Sequence, residues 1–298
     1  MTKIKYTLLK ILGLFSVIRG YNILIICIAQ YLTSIFILSQ YPTKEVLFDD
    51  NLFMLILAGA LSIAGGYIIN GFYDKEKDLI NKPYRVMINR LVSQHTKLTL
   101  YFLLNFFSII VASYVSFRAV IFFSLYIFGM WIYSHKLKKI AWIGNIVSAT
   151  LSIIPFFAIF IYYKNFEHVI FFHAMYLFLL ILIRELVKDL ENIKGDFTFD
   201  YQTIPVKYGE VFSKIIISVL TLLTLIPIYF LLYQYHVGLM KYYFIIAGFL
   251  LIYFLAKLWK GQNQKTYHSL HNLLKITLIT GVFSILLIHP EKIIQIFK

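Results

Sequence analysis

Apolar runs long enough to cross a bilayer recur along the whole chain, and they leave little choice of architecture. A hydrocarbon core of about 30 Å takes about 20 residues of α-helix. Nine such runs lie at roughly 20–40, 52–72, 98–116, 119–134, 141–163, 168–184, 211–233, 240–257 and 270–289. Lipid offers no partner to a free backbone N–H or C=O, so each run must close its hydrogen bonds internally, as a helix. Composition agrees: 60% of the 298 residues are hydrophobic, against about 45–50% in soluble domains, and the mean hydropathy is +0.78. The expected fold class is all-α and polytopic, one integral membrane domain over residues 1–298. Ahead of the first run, TLLKILGLFSVIR reads as an interfacial amphipathic helix. With no small-residue cleavage site behind it, this segment is not read as a removable signal. The one cysteine, Cys27, allows neither an internal disulfide nor a multi-Cys metal site.

The formal charge of +14 would suit a nucleic-acid binder, but its distribution does not. With the N-terminus inside, one side of the membrane receives 22 Lys and Arg. The other side holds six: Lys44, Arg118, Lys164, Lys241, Lys292 and Lys298. That asymmetry is a positive-inside signal. It predicts a multi-pass protein of the cell membrane with a cytoplasmic N-terminus, membrane lipids as neighbours and no nucleic-acid partner. Nine of the fourteen acids fall on the same side, all in the two long loops or at their helix ends.

The first acidic cluster follows the second run, in NGFYDKEKDLINKPYR (70–85). Asn70, Asp74 and Asp78 are spaced i, i+4, i+8, which places them within roughly 80° on one helix face. An amide oxygen and two carboxylates are hard donors of the kind Mg²⁺ takes. Mg²⁺ keeps several waters and shares its sphere with substrate phosphates. Glu76, Lys75 and Lys77 point off that face and read as a solvated helix end. Pro83 breaks the helix and puts Asn81, Lys82 and Arg85 on a turn beside the acids. Arg85 offers a fork for phosphate and Lys82 a point charge. Acids and bases together fit a metal-chelated diphosphate.

RELVKDLENIKGD (184–196) repeats the logic. Glu185, Asp189, Asn192 and Asp196 fall within roughly 60° on a continuous helix, with Arg184 and Lys188 to one side. Gly195 is expected to end that helix early. The two clusters begin 115 residues and four runs apart, which suggests two similar four-helix halves. Two facing sets imply two metal ions, or one metal cluster, clamping a departing diphosphate. A carbocation left by its departure could rest against aromatic faces.

These residues resemble the UbiA superfamily of intramembrane prenyltransferases. The column N-x-x-x-D-x-x-x-D with N-x-P-x-R carries the resemblance. So do IRGYN (18–22), WIYSHKLKKI (131–140), RELVKDLENIKGD and TIPVKYG (203–209), in order over nearly the whole chain. The resemblance implies nine helices around a central cavity, Mg²⁺ as cofactor, and polyprenyl transfer from its diphosphate to a lipid or aromatic acceptor. Carried over by position, Asn70, Asp74 and Asp78 would hold one Mg²⁺. Asp189 and Asp196, with Glu191 and Asn192, would hold a second. Arg19, Asn22, Lys82, Arg85, Lys136 and Lys188 would contact substrate, and Tyr133 would sit beside the reacting carbon. The sequence has Asn192 where many members have Asp, which keeps an oxygen ligand and loses a charge.

The form R-E-x-x-K-D-x-E-x-x-x-G-D is most similar to the branch that alkylates geranylgeranylglyceryl phosphate. Quinone-pathway branches, with 4-hydroxybenzoate or dihydroxynaphthoate as acceptor, share the metal motifs. An aromatic acid would need a cation in the cavity, such as Arg118 or His173, which the sequence does not place. Outside this class stand a transporter and a non-catalytic lipid-binding protein. Transporter sites lie near the midplane on broken helices, whereas these acids lie at helix ends. A CDP-alcohol phosphotransferase would carry a D-G-x-x-A-R lead-in, which is missing.

Overall fold

The computed structural model describes residues 3–292. Helices follow one another as α1 (Lys3–Val17), α2 (Gly20–Thr33), α3 (Thr43–Leu47), α4 (Asp50–Tyr73), α5 (Lys75–Asn81), α6 (Pro83–Asn89), α7 (Gln94–Val115) and α8 (Phe117–His135). They continue as α9 (Ile143–Tyr163), α10 (His168–Thr198), α11 (Ile204–Tyr208), α12 (Glu210–Leu223), α13 (Leu225–Tyr233), α14 (Lys241–Lys260) and α15 (Gln264–Ser284). Among the described residues nine helical stretches are long and apolar enough to cross a membrane, at the nine places the sequence gives. Lys298, counted above with the outer bases, lies outside the described residues.

The outer surface is itself apolar, with side chains such as Phe102 and Phe249 more than two-thirds exposed. In water such a surface would aggregate; in a bilayer it faces lipid tails. Association inside lipid relies instead on close packing and on polar contacts between helices. The α4–α7 seam shows both. Ser62 and Ser108 share a hydrogen bond at 2.6 Å, and Ser108 also donates to the Ala58 carbonyl at 2.8 Å. A Cβ on Gly65 would sit 2.6 Å from Asn105 Oδ1, so only glycine allows this approach.

Of four apolar clusters among the described residues, two hold most of the core. The larger surrounds α10, where Leu180, Ile183, Leu186 and Leu190 meet Phe244, Leu251 and Phe254 of α14. The other joins α4 to α7, α8 and α9 through Ala58, Ala112, Phe123 and Ala158.

Two prolines interrupt spans, and each leaves a backbone carbonyl without its helical partner. Pro155 frees the Leu151 carbonyl, which accepts from the Tyr126 hydroxyl at 3.2 Å. Gln30 donates to the carbonyl of Pro155 itself at 2.9 Å. Pro227 follows the break at Thr224, so the seventh run is two helices rather than one.

Three expectations about helix ends change. The helix of the second cluster does not stop at Gly195 but runs on to Thr198. Gly195 instead lets Asn81 approach: its N–H donates to Asn81 Oδ1 at 3.2 Å, and a Cβ there would collide with that side chain. The ninth span begins at Gln264, six residues before the apolar run does. The column Asn70, Asp74, Asp78 crosses a break, because Asp74 (φ −89°, ψ 4°) separates α4 from α5. Hydrogen bonds Asp74 N to Asn70 O (3.0 Å) and Asp78 N to Asp74 O (2.8 Å) carry the helical path through.

Candidate active site

A cavity of about 890 Å³ opens at the end of the bundle where both acidic clusters lie. Asn70, Asp74 and Asp78 reach it from the α4–α5 junction, and Glu185, Asp189, Glu191 and Asn192 from α10. Arg19, Asn22, Lys82, Arg85, Tyr133 and Lys188 line it too. Below this polar mouth the walls turn apolar, with Ile26, Ile63, Met130 and Leu151. Arg118 and His173 are not part of the lining. His173 lies in a separate apolar pocket, with Nδ1 2.8 Å from the Val169 carbonyl.

Around Asp74 the structure departs from the sequence reading. Asp74 is buried and receives Lys138 Nζ at 2.7 Å, the Tyr201 hydroxyl at 3.0 Å and Lys77 Nζ at 3.5 Å. Lys77 is therefore no solvated side chain: it bridges to Asp196 at 3.2 Å and lies 4.0 Å above the Tyr201 ring. The turn at Asp74 rotates α5 and brings Lys77 inward. Lys138 takes the place expected for Lys136. Lys136 caps α8 and is exposed, whereas the 3₁₀ turn Leu137–Lys139 carries Lys138 under Asp74 and within 3.2 Å of Asn70 Oδ1. Asp196 is buried behind the cavity wall and faces Lys77, not the lumen.

The second cluster is held differently. Glu185 pairs with Arg184 at 3.0 Å and with Lys188, and accepts from Ser148 at 3.1 Å. Glu191 binds His268 and His271 of α15 at 2.8 and 2.7 Å. Asp189 has a neutral partner, the Asn145 amide at 2.6 Å, and no ion pair among the described residues. Asn192 Oδ1 is buried without a hydrogen-bond partner. Asn145, Tyr201, Lys138, His268 and His271 were not singled out from the sequence. Only the 3.6-residue spacing of the polar residues from 264 onward could have marked α15 as facing a cavity.

Burial and charge oppose each other at the mouth. Burial pushes the Asp74 carboxyl up, but Lys77 and Lys138 outweigh it and hold the group well below the usual carboxylate range. Burial lowers Lys138 to about 8 in spite of Asp74. It also lowers Lys82 to about 8, with Asp78 resisting and Lys188, Arg19 and Arg85 assisting. Arg85 falls to about 10 through burial and the nearby Arg19. This crowd of cations is what an anionic ligand would relieve.

The donor set suits a hard cation. Among the described residues Asp78 and Asp189 carry no ion pair, and Asn192 presents an unused oxygen. Among the described residues no three His, Cys, Asp or Glu side chains group to hold a metal alone. Oxygens from a phosphorylated ligand would have to complete the sphere, which is how Mg²⁺ is commonly held.

A bundle of spanning helices, with carboxylates and cations converging at one mouth of an apolar cavity, defines a membrane-embedded enzyme for an amphiphilic anion. The chain belongs to the UbiA prenyltransferase family, whose pattern it matches over residues 21–279. It is 27% identical to a digeranylgeranylglyceryl phosphate synthase of Thermococcus gammatolerans, over 91% of this chain and 96% of that one. To the enzyme of the same name from Thermococcus sibiricus it is 32% identical, over 78% and 83%. Solved structures share the fold. One comes from work on a digeranylgeranylglyceryl phosphate synthase in membranes (TM-score 0.68, 23% identity, 93% of this chain and 97% of that one). Another is a UbiA homologue from Archaeoglobus fulgidus bound to GPP and Mg²⁺ (TM-score 0.66, 12% identity, 92% and 99%).

Proposed function

We propose that the protein transfers a geranylgeranyl group from its diphosphate to the free glycerol hydroxyl of geranylgeranylglyceryl phosphate, in the cell membrane, with Mg²⁺ as cofactor. The observation that carries this is the meeting of two acidic clusters and a set of cations above an apolar cavity. A diphosphate fits the mouth and a prenyl tail fits below. The acceptor follows the relatives' name and the form of the second motif. On this reading the chain acts as one domain whose two halves each bring one cluster. The positive-inside asymmetry supports a mouth and an N-terminus on the cytoplasmic side.

Asn70, Asp74 and Asp78 would hold one Mg²⁺, and Asp189 with Asn192 the second. Bound there, Mg²⁺ would neutralise charge growing on the diphosphate as it leaves. Lys82 and Arg85 bind the remaining diphosphate oxygens and keep them oriented. Lys138 and Lys77 fix the carboxylate of Asp74, and Lys77 does the same for Asp196. Glu191 ties α10 to α15 through its two histidines and stands beside the ligand set. Tyr133 lines the cavity, where its ring would favour positive charge on the allylic carbon. Apolar walls exclude water, which would otherwise capture the cation in place of the acceptor.

Purified protein in lipid, with Mg²⁺ and geranylgeranyl diphosphate, tests the reading. Geranylgeranylglyceryl phosphate, 4-hydroxybenzoate and dihydroxynaphthoate are offered together and products identified by mass spectrometry. The expected product is digeranylgeranylglyceryl phosphate, lost on chelation. A product from an aromatic acceptor alone would move the protein to quinone synthesis. Folded protein giving neither product nor diphosphate release overturns prenyl transfer.

A further inference from the structure

The polar face of α15 lines the same cavity as the two acidic clusters. Gln264, His268, His271 and Lys275 are spaced i, i+4, i+7, i+11 and all border the lumen. That spacing keeps them within roughly 60° on one face. His268 and His271 are occupied by Glu191, and Asn272 donates to His268 Nε2 at 3.0 Å. Among the described residues Lys275 has no acidic partner: its amine lies 4.4 Å from the Tyr21 ring centre at the start of α2. It stands eleven residues into the helix, roughly 16 Å from its start. A cation on a span that lines a cavity is costly without a partner.

Four of the nine Lys and Arg that line the cavity are already neutralised. Arg184 and Lys188 pair with Glu185, Lys138 with Asp74, and Lys77 with Asp74 and Asp196. Arg19, Lys82, Arg85, Lys265 and Lys275 line the cavity without an ion pair among the described residues. Lys265 is at the exposed rim, and Lys82 and Arg85 adjoin the first acidic cluster. Arg19 lines the same cavity two residues before Tyr21, whose ring the Lys275 amine adjoins, and its charge acts on Lys82, Arg85 and Lys275. Its guanidinium stands 4.7 Å from the Tyr67 ring centre, and its Nε is buried without a hydrogen-bond partner. The backbone holds it there in the left-handed region (φ 52°, ψ 49°), a conformation non-glycine residues seldom adopt.

Transfer between a prenyl diphosphate and a phosphate-bearing lipid brings two anions into one cavity. The acceptor hydroxyl must reach the reacting carbon, so its phosphate lies close to the diphosphate. Two such anions need separate cations, or they repel each other. We infer that Lys275 and Arg19 form a second anion subsite, which binds the phosphomonoester headgroup of the acceptor lipid. Lysine side chains lean toward the helix N-terminus, so the Lys275 amine reaches back to the level of Tyr21, where a headgroup would lie. The subsite rests on the acceptor proposed above.

The test measures binding first, without donor or Mg²⁺, on the full chain in nanodiscs. Geranylgeranylglyceryl phosphate, geranylgeranylglycerol and glycerol phosphate are titrated against the wild type, Lys275→Gln and Lys275→Arg. The phosphate lipid is expected to bind the wild type and Lys275→Arg about ten-fold tighter than its dephosphorylated form, a preference lost in Lys275→Gln. In turnover, Lys275→Gln is expected to raise the acceptor KM about ten-fold while the donor KM moves less than about two-fold. A phosphate preference kept in Lys275→Gln, or a donor KM that rises equally, overturns the subsite. Glycerol phosphate binding as tightly as the lipid overturns its assignment to a lipid headgroup. If the wild type prenylates an aromatic acid and shows no phosphate preference, the subsite falls and prenyl transfer stands. A phosphate preference that depends on Lys275, without turnover on any acceptor, supports the subsite and overturns the transfer reading.

Discussion

The two acidic clusters look alike as strings of residues and are built in opposite ways. The first straddles a break in the chain, and Asp74 is held by residues brought from afar, Lys138 and Tyr201. The second lies on one unbroken helix, and Glu185 is held by its own neighbours Arg184 and Lys188. In the first, the central carboxylate is surrounded by cations. In the second, Asp189 meets only the Asn145 amide. Charge compensation thus follows from tertiary placement and not from the motif. The carboxylates without an ion pair among the described residues, Asp78 and Asp189, line one cavity from α5 and α10.

Removing the charge of Asp74 tests the first construction at its centre. Asp74→Asn is expected to cut Mg²⁺-dependent turnover about 10³-fold, the scale for losing a preorganised electrostatic group. Circular dichroism should report unchanged helix content, and wild-type turnover in this variant would remove Asp74 from the site. Asn145→Ala tests the second construction, in which a neutral neighbour orients the ligand. A loss of about 10- to 100-fold is expected, read as a higher Mg²⁺ concentration for half-maximal activity. An unchanged Mg²⁺ titration would mean that helix geometry alone orients Asp189. The smallest effect belongs to Tyr201→Phe, which removes one of several donors to Asp74. About 1 kcal/mol is at stake, so kcat/KM for the donor should fall less than about ten-fold. A larger loss would show that Asp74 depends on this hydroxyl more than on its lysines.

How far the sequence could be read depended on whether a residue's setting was local. The spans were legible because lipid imposes one length and one backbone solution on each. The carboxylate stripes were legible because helical spacing is a local property. Lys77 was not: whether a lysine beside an aspartate is solvated or buried depends on Asp196, far along the chain. Lys136 and Lys138 could not be separated, since the 3₁₀ turn between α8 and α9 decides which one turns inward. The start of α15 was hidden for another reason. A helix that faces a polar cavity carries polar residues, and in a hydropathy reading those resemble a loop.

The length of α10 carries a consequence for the membrane around it. Its 31 residues form a rod roughly 46 Å long, against a hydrocarbon layer of about 30 Å. A rod that long answers a thicker or thinner bilayer by tilting. The acids of the second cluster ride on its far end, while those of the first sit on a separate short helix. Lys77 and Asn81 of that short helix bind Asp196 and Gly195 of α10, so a tilt of the long rod would carry both clusters with it.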